Sequence, residues 1–522
     1  MSWSSAITDW LANRRLSPAY LLESIELAGA TPPGGGLALS SLHTRLHDGY
    51  ERMIDPLSVR LGAESVDLRE LIYTGGSWQV ALVWRTGAQR SALYDGLTRG
   101  APVLLKWGSA FWDAADYEPL RAGVVSDITE QGNTITVVCW DLLTALRTRI
   151  TTADWPPLFG SLDPRPTTAL SSGYTVGDTT LNVNDTSAFE QDSASGYLLS
   201  IASGSFYLTA TGSTGTTFTG VSAAGVFGTT AANKSAGTAV QGTAWLNGHP
   251  FEIAARMLTS TGAGTNGAED TCPASWGYGV PVALVDLTNI AAWITALAPA
   301  SGSDIWDWIA TLPDVGGLYN FLAPYVAGAG MWLCNRHGQI TGRGLQDLRS
   351  SPTTIAGLTI TDADIVTELA SLEPRDAQQP FEVRYRSYTH SDSGASDNPV
   401  VSTASNNLTW PLLKVAEIDL TPVLWANGDA VCNAYLARVA PWGAQVPERL
   451  RVRVAGLHYL QLCVGDVISV TSSRLRSFFV SAEGGYSATP MMVVGMQAGL
   501  PYPHVDLDLV ALPEDAEDAR GA

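Results

Sequence analysis

From Arg449 to Val454 the chain alternates arginine with an aliphatic residue, and this alternation constrains the fold more than any other feature. Successive side chains of an extended strand point to opposite faces, so Leu450, Val452 and Val454 share a dry face while Arg449, Arg451 and Arg453 share a wet one. The segment opening Val431-Cys432 reads as a helix leading into this strand. Beyond it, Leu460, Leu462 and Val464 run up to Gly465-Asp466, whose residue types suit a sharp reversal. Val467 to Thr471 then restart a strand. The pair Gly465 and Asp466 is therefore expected to be a structural turn joining two strands.

At 522 residues the chain has room for three or four domains. Only 15% of residues are charged, which lowers the cost of burying large surfaces against neighbours. A β-rich secreted protein has a similar composition. Asp+Glu 50 against Lys+Arg 30 gives a net charge of −20, which excludes a tight grip on nucleic acid, because neutralising phosphates takes clustered Lys and Arg. DNA could still pass along an acidic or neutral surface. Cys139, Cys272, Cys334, Cys432 and Cys463 are scattered, so neither a disulfide framework nor a zinc ribbon is expected. Cys139 and Cys463 lie in apolar strand patterns and read as small buried hydrophobes. No secretory signal is read at the start, and the apolar stretch Phe321 to Cys334 is too short and broken to span a bilayer.

Along the chain, Ala6 to Asn13 reads as a short helix. Val103 to Lys106 and Arg121 to Ile128 read as strands, with Gln131-Gly132-Asn133 turning into Thr134 to Trp140. Asp141 caps a helix that begins at Leu142. From Pro164 charge nearly vanishes, yet Leu181/Val183, Leu199/Ile201 and Phe206/Leu208 alternate between turns, which describes a small all-β module. Pro250 starts a helix through Ser260 with Phe251, Ala254, Ala255 and Leu258 at helical spacing. A second helix is expected behind Ser303-Asp304, with Ile305, Trp308 and Ile309 on one face, and a third over Leu318 to Val326. Met331 to Cys334 and Gln339 to Thr341 flank a hairpin turn at Asn335 to Gly338. In the last region Phe381, Val383 and Tyr385 are expected to face inward and Arg384 and Arg386 outward. A Ser/Asn-rich loop, Thr389 to Asn407, follows.

The order of these elements, strand pair with capped helix, module, helices before a hairpin, then striped strands and turn, resembles the hub proteins at the tail tip or baseplate of tailed bacteriophages. The resemblance implies a multidomain β-rich (α+β) fold. Residues 1–160 would form an N-terminal tube-like β-barrel domain, 164–245 an inserted all-β module, 246–375 an α/β linking region and 376–512 a C-terminal tube-like β-barrel domain. Residues 513–522 would be an acidic disordered tail. It further implies a structural subunit in the virion at the tail tip, forming a ring, most often a homotrimer, that joins the tail tube to tip and fibre proteins. Distal tail or tube protein and tape measure protein would be its other partners, and DNA would only pass through the lumen. The resemblance implies no catalysis, cofactor or metal. Ring order remains open between trimer and hexamer. A receptor-binding adhesin or fibre-base protein is the alternative, and a cell-wall or polysaccharide hydrolase a third.

Residues that could carry chemistry point elsewhere than to a site. Gly262 to Gly267 matches GxGxxG but follows a helix, whereas a dinucleotide site needs a strand before and a helix after. His43, His47 and Asp48 lack a third ligand at motif spacing and read as surface residues. Glu269-Asp270 and Asp362-Ala363-Asp364 read as turn and helix-start residues, since a carboxylate pair must face across a cleft to act. Among 17 tryptophans, Trp306 and Trp308 read as helix packing, and Trp107 and Trp112 as loop-flanking residues with some exposure.

Overall fold

The computed structural model describes residues 18–25, 37–42, 49–68, 71–147, 166–189, 196–202, 205–226, 230–247, 250–259, 280–297, 307–310, 323, 326–346, 354–366, 371–374, 382–387, 400–405, 415–419, 442, 448–475, 485–500 and 504–512. The fold is β-rich with few helices and a curled half-barrel sheet. The helix at Ala6 to Asn13, the helix before the arginine stripe and the acidic tail lie outside the described residues, as does most of Leu318 to Val326, where Ala323 and Val326 are helical.

The first region forms β1 (Pro18–Ser24), β2 (Ala38–Ser40), β3 (Glu51–Arg52), β4 (Arg60–Leu61), β5 (Glu64–Asp67), β6 (Ile72–Thr74), β7 (Trp78–Val83), α1 (Gly87–Gly96), β8 (Pro102–Ser109), β9 (Glu118–Gln131), β10 (Thr134–Asp141) and α2 (Leu142–Arg147). Eight of these strands make one sheet in the order β3-β2-β1-β8-β9-β10-β7-β4. Its centre follows the sequence pattern: Ile135, Val137 and Cys139 of β10 are buried in alternation, and Gly132 takes φ +65° in the hairpin from β9. Both ends of the sheet meet on one segment. Residues 51–52 pair with β2, and directly after them the Val83 N–H donates to Met53 O (2.6 Å) and the Asp55 N–H to Ala81 O (2.9 Å). The sheet thus closes on itself and leaves no long unpaired edge there.

Trp107 is wholly buried, not loop-exposed. It continues the inward face of Val103 and Leu105 on β8, opposite Tyr20 of β1, so strand period decides its place.

Strands β11 (Thr167–Ala169), β12 (Thr180–Asn182), β13 (Tyr197–Ile201), β14 (Phe206–Ala210), β15 (Gly212–Thr214), β16 (Thr217–Thr219) and β17 (Ala239–Asn247) follow. Leu181, Val183, Leu199, Ile201, Phe206 and Leu208 belong to a hydrophobic cluster separate from the main core. The chain enters and leaves this region side by side, with the Gly242 N–H donating to Pro166 O at 2.9 Å.

Next come α3 (Pro250–Thr259), α4 (Leu287–Leu297), β18 (Asp307–Ala310), β19 (Met331–Arg336) and β20 (Gln339–Gly344). The helical reading around Trp308 and Ile309 is overturned: residues 307–310 are a strand paired in register with Ala244–Asn247 of β17. A run this short fits either period, and the cross-strand partner decides. In the hairpin β19–β20, His337 and Gly338 both adopt positive φ (+47° and +75°), the conformation a two-residue turn needs.

The last region holds β21 (Thr354–Thr361), β22 (Ser371–Pro374), β23 (Glu382–Ser387), β24 (Val400–Ser405), β25 (Val415–Asp419), β26 (Glu448–Ala455), β27 (Val467–Ser472), β28 (Tyr486–Ala498) and β29 (His504–Ala511). A second large sheet runs β21-β27-β28-β29-β26-β22, and β5 joins it beside β28. Strand pairing therefore crosses the boundary read at residue 376. Strands β24-β23-β25 form a sheet of their own, so part of the expected loop Thr389 to Asn407 is strand. The inward and outward assignments for Phe381 to Arg386 lie outside the side chains described.

On β26, Leu450, Val452 and Val454 are buried while Arg451 is exposed. The approach to Gly465 differs from the expected strand: residues Leu457–Gln461 form a 3-10 helix after Gly456, whose φ is +116°. One continuous hydrophobic core takes in both large sheets, α3 and the hairpin, from Tyr20 and Trp107 through Phe251 and Trp332 to Leu509.

Candidate functional site

The hairpin β19–β20 sits where the two large sheets meet, and its polar residues make two buried junctions. On β20, Arg343 stands opposite Trp332 in register. Its Nη2 lies 2.8 Å and its Nε 3.2 Å from Asp466 Oδ1. Nη1 donates to Asn289 Oδ1 of α4 (2.7 Å) and to Gly342 O (2.9 Å), and Nη2 also reaches Cys463 Sγ (3.2 Å). The other carboxylate oxygen, Asp466 Oδ2, accepts from the Cys463 N–H at 2.8 Å. Burial would push the Asp466 carboxyl up, but the charges of Arg343 and Arg336 outweigh it and hold it below the usual range. Both groups are therefore ionised, and their hydrogen bonds offset the desolvation that an enclosed pair suffers.

Gly465 precedes this aspartate with φ +96°. A Cβ there would stand 2.7 Å from Trp332 Cζ2 and 2.8 Å from Arg343 Cγ, so the turn needs glycine for its backbone and for the hairpin pressing on it. Asp466 is more than the turn residue expected from sequence, since its carboxylate ties this turn to the hairpin.

The second junction lies between β5, β9, the end of β10 and β19. Glu64 Oε1 is 2.7 Å from Arg121 Nη2, both almost enclosed. Asn335 Nδ2 donates to Asp141 Oδ1 at 2.5 Å, and the same oxygen accepts from the Thr144 N–H at 2.9 Å as the cap of α2. Burial raises the Glu64 pKa, aided by the nearby Asp141 charge and opposed by Arg121 and Tyr73. Burial likewise raises Asp141, against the bonds from Thr144 and Asn335.

The outer face of the second sheet carries the arginine stripe. Arg449 forms a two-pronged pair with Asp508 of β29, its Nε 2.6 Å from Oδ1, and Arg453 does the same with Asp506 at 2.6 and 2.9 Å. Arg451 is half exposed and stands 3.7 Å from Asp508. A groove of about 340 Å³ runs beside these residues over Gly495, next to Ser65 and Gln497. Arg449 and Arg453 are thus each held by an aspartate of β29, which weakens the pull of the stripe on a polyanion.

The remaining candidates are not gathered into a site. Asp362 accepts from Ser472 and Ser473, and Asp364 from Thr361, which makes them turn residues at the end of β21. Cys139, Cys334 and Cys463 are buried free thiols. His43, His47, Asp48, Gly262 to Gly267, Glu269, Asp270, Trp306, Cys272 and Cys432 lie outside the described residues. Among the described residues no cluster of three or more His, Cys, Asp or Glu is placed to hold a metal, and no helix is long and apolar enough to cross a membrane. Sequence reasoning passed over Arg343, Asn289, Glu64 and Arg121. A lone arginine between two glycines at the end of β20 was the one available signal.

No family model and no curated protein matches the chain. Similar solved structures include a tail protein from Neisseria meningitidis, at 9% identity over 94% of this chain and 96% of that one, with a TM-score of 0.39. Another is the 43 kDa tail protein of a Shewanella oneidensis prophage, at 9% identity, 95% and 98% coverage and a TM-score of 0.38. A third is an Escherichia coli type VI secretion component, described as similar to T4 bacteriophage tail proteins, at 8% identity, 88% and 74% coverage and a TM-score of 0.31. These neighbours are phage tail proteins and a hub-like secretion protein.

Proposed function

We propose that this chain is a structural hub subunit of a phage tail tip or baseplate, assembling into a ring that joins the tail tube to tip and fibre proteins around the DNA exit path. The observation that carries the reading is architectural. Two large sheets, one closing on itself, share a single core and are joined by a hairpin that hydrogen-bonds Asp141 through Asn335 and ion-pairs Asp466 through Arg343, and by the buried Glu64–Arg121 pair between β5 and β9. Such a body is suited to transmitting load between neighbours, because its halves cannot slide without exposing paired charges.

The family order of elements read from the sequence supports the same role: N-terminal tube-like β-barrel, inserted module, linking region, C-terminal tube-like β-barrel. The separate core of the region between Pro166 and Gly242 supports treating it as the insertion. Its partners are further copies of the chain, in a homotrimer, together with tube, tape measure and fibre proteins. The turn at Gly465 and Asp466 serves this role structurally, and no catalytic residue is assigned. Sedimentation and negative-stain imaging of the purified chain at micromolar concentration test the proposal: ring-shaped oligomers support it, and a strict monomer that never enters tails contradicts it.

A further inference from the structure

The loop between β8 and β9 presents Phe111 to solvent at 79% exposure, the most exposed large apolar side chain among the described residues. Its backbone is pinned from several sides. The Phe111 N–H donates to Ser109 Oγ at 3.3 Å, the Trp112 N–H to Ser109 O at 3.0 Å and the Tyr117 hydroxyl to the same carbonyl at 2.9 Å. Trp112 packs on a small apolar cluster with Ala19, Leu21 and Tyr117, and Ala114–Asp116 form a 3-10 turn. Asp113 and Asp116 are exposed on the same loop. A loop ordered in this way can bury its aromatic ring against a partner with little further loss of freedom.

The groove on the outer face of the second sheet complements this loop. Register puts Arg451, Asp508, Gly495 and Ser65 in one row across four strands, with Arg453, Asp506 and Gln497 in the next. In the first row Gly495 alone lacks a side chain, and the register between β28 and β29 shifts there at a bulge, so the row has a gap. The groove of about 340 Å³ over that gap exceeds the roughly 150 Å³ that already takes a benzene ring. Charge follows shape: three arginines of β26 stand beside two aspartates of β29, and Arg451 lines the groove half exposed. Glu64, which lines it too, is held by Arg121. On a chain of net charge −20, this local surplus of cations favours an acidic loop.

We propose that the loop carrying Phe111 in one copy of the chain docks into the groove over Gly495 of the next. Phe111 fills the gap in the row, and Asp113 and Asp116 face Arg451. Loop and groove are different surfaces, so the contact runs head to tail and closes into a ring where the rotation allows. The assignment rests on the ring reading above and names the surfaces that build it.

The test places the photo-crosslinker p-benzoylphenylalanine at position 111 of the full chain and irradiates a mixture of isotopically light and heavy protein. The expected result is mixed light–heavy adducts joining position 111 to peptides that hold Ser65 or Gly495 to Gln497. Phe111→Ser should keep the wild-type melting temperature and weaken self-association by about tenfold or more. Arg451→Glu should weaken it as well, and adding Asp113→Arg with Asp116→Arg should restore it, which damage to the fold would not allow. Adducts on other surfaces, adducts within one chain only, or unchanged association of Phe111→Ser would overturn the docking and leave the hub reading standing. So would attachment of position 111 to a different protein in irradiated tails. A wild-type chain that stays monomeric at micromolar concentration and never enters tails would overturn both.

Discussion

Arg343 and Asp466 lie 123 residues apart in sequence and 2.8 Å apart in space, both nearly enclosed, so one ion pair fixes the linking hairpin to the turn of the second sheet. Removing one partner strands the other in a low-dielectric interior, which typically costs about 3–5 kcal/mol. Asp466→Ala is therefore expected to lower the unfolding free energy by an amount of that order. The double replacement Arg343→Met with Asp466→Leu should recover most of it. Chemical denaturation of the three proteins checks this, and a loss under about 1 kcal/mol in Asp466→Ala would remove the pair from the account.

Gly465→Val should also destabilise, for two separable reasons. The positive φ alone costs on the order of 1–3 kcal/mol for a branched residue, and the added Cβ meets the Trp332 ring. Gly465→Ala carries the same Cβ contact with less strain and should fall between wild type and valine. Equal melting temperatures for all three would show that the turn is not held as described.

The junction at Glu64 makes a pH prediction. Its folded pKa is raised by burial, with Asp141 adding to the rise and Arg121 and Tyr73 opposing it. A raised acid favours folding below its unfolded pKa of about 4.3 and loses that contribution as pH climbs through the folded value. Asp141 is shifted the same way. Stability should thus decline with rising pH across this window, and Glu64→Gln should flatten the decline. An unchanged slope in denaturation series from acid to neutral pH would contradict the assignment.

Excising residues 167–241 and bridging Pro166 to Gly242 with a short Gly-Ser link should leave the remaining protein folded. The two ends are already hydrogen-bonded neighbours, and Ala244–Asn247 keeps its pairing with β18. Little change in melting temperature and intact oligomers are expected. Collapse of either would make this region part of the scaffold.

Local pattern was enough wherever a strand has one wet and one dry face. Leu450, Val452 and Val454, the β9–β10 hairpin and the Asp141 cap could all be read from spacing, because burial there repeats with the strand period. The joints were not legible. Residues 51–55 close the first sheet by pairing with β2 on one side and β7 on the other, and nothing local marks them. Asp466 looked like an ordinary turn residue because its partner sits on another hairpin. β18 carried helical spacing and became a strand because β17 offered an edge. In each case a contact at long sequence separation overrode the local preference.

The most direct measurement of the central claim is the position of this chain in intact particles. A tag placed on the chain and imaged by electron microscopy in tails purified from the phage or prophage that carries it should mark a single ring at the distal end of the tail tube. Label along the whole tube, only on fibres, or absent from tails altogether would contradict the hub reading.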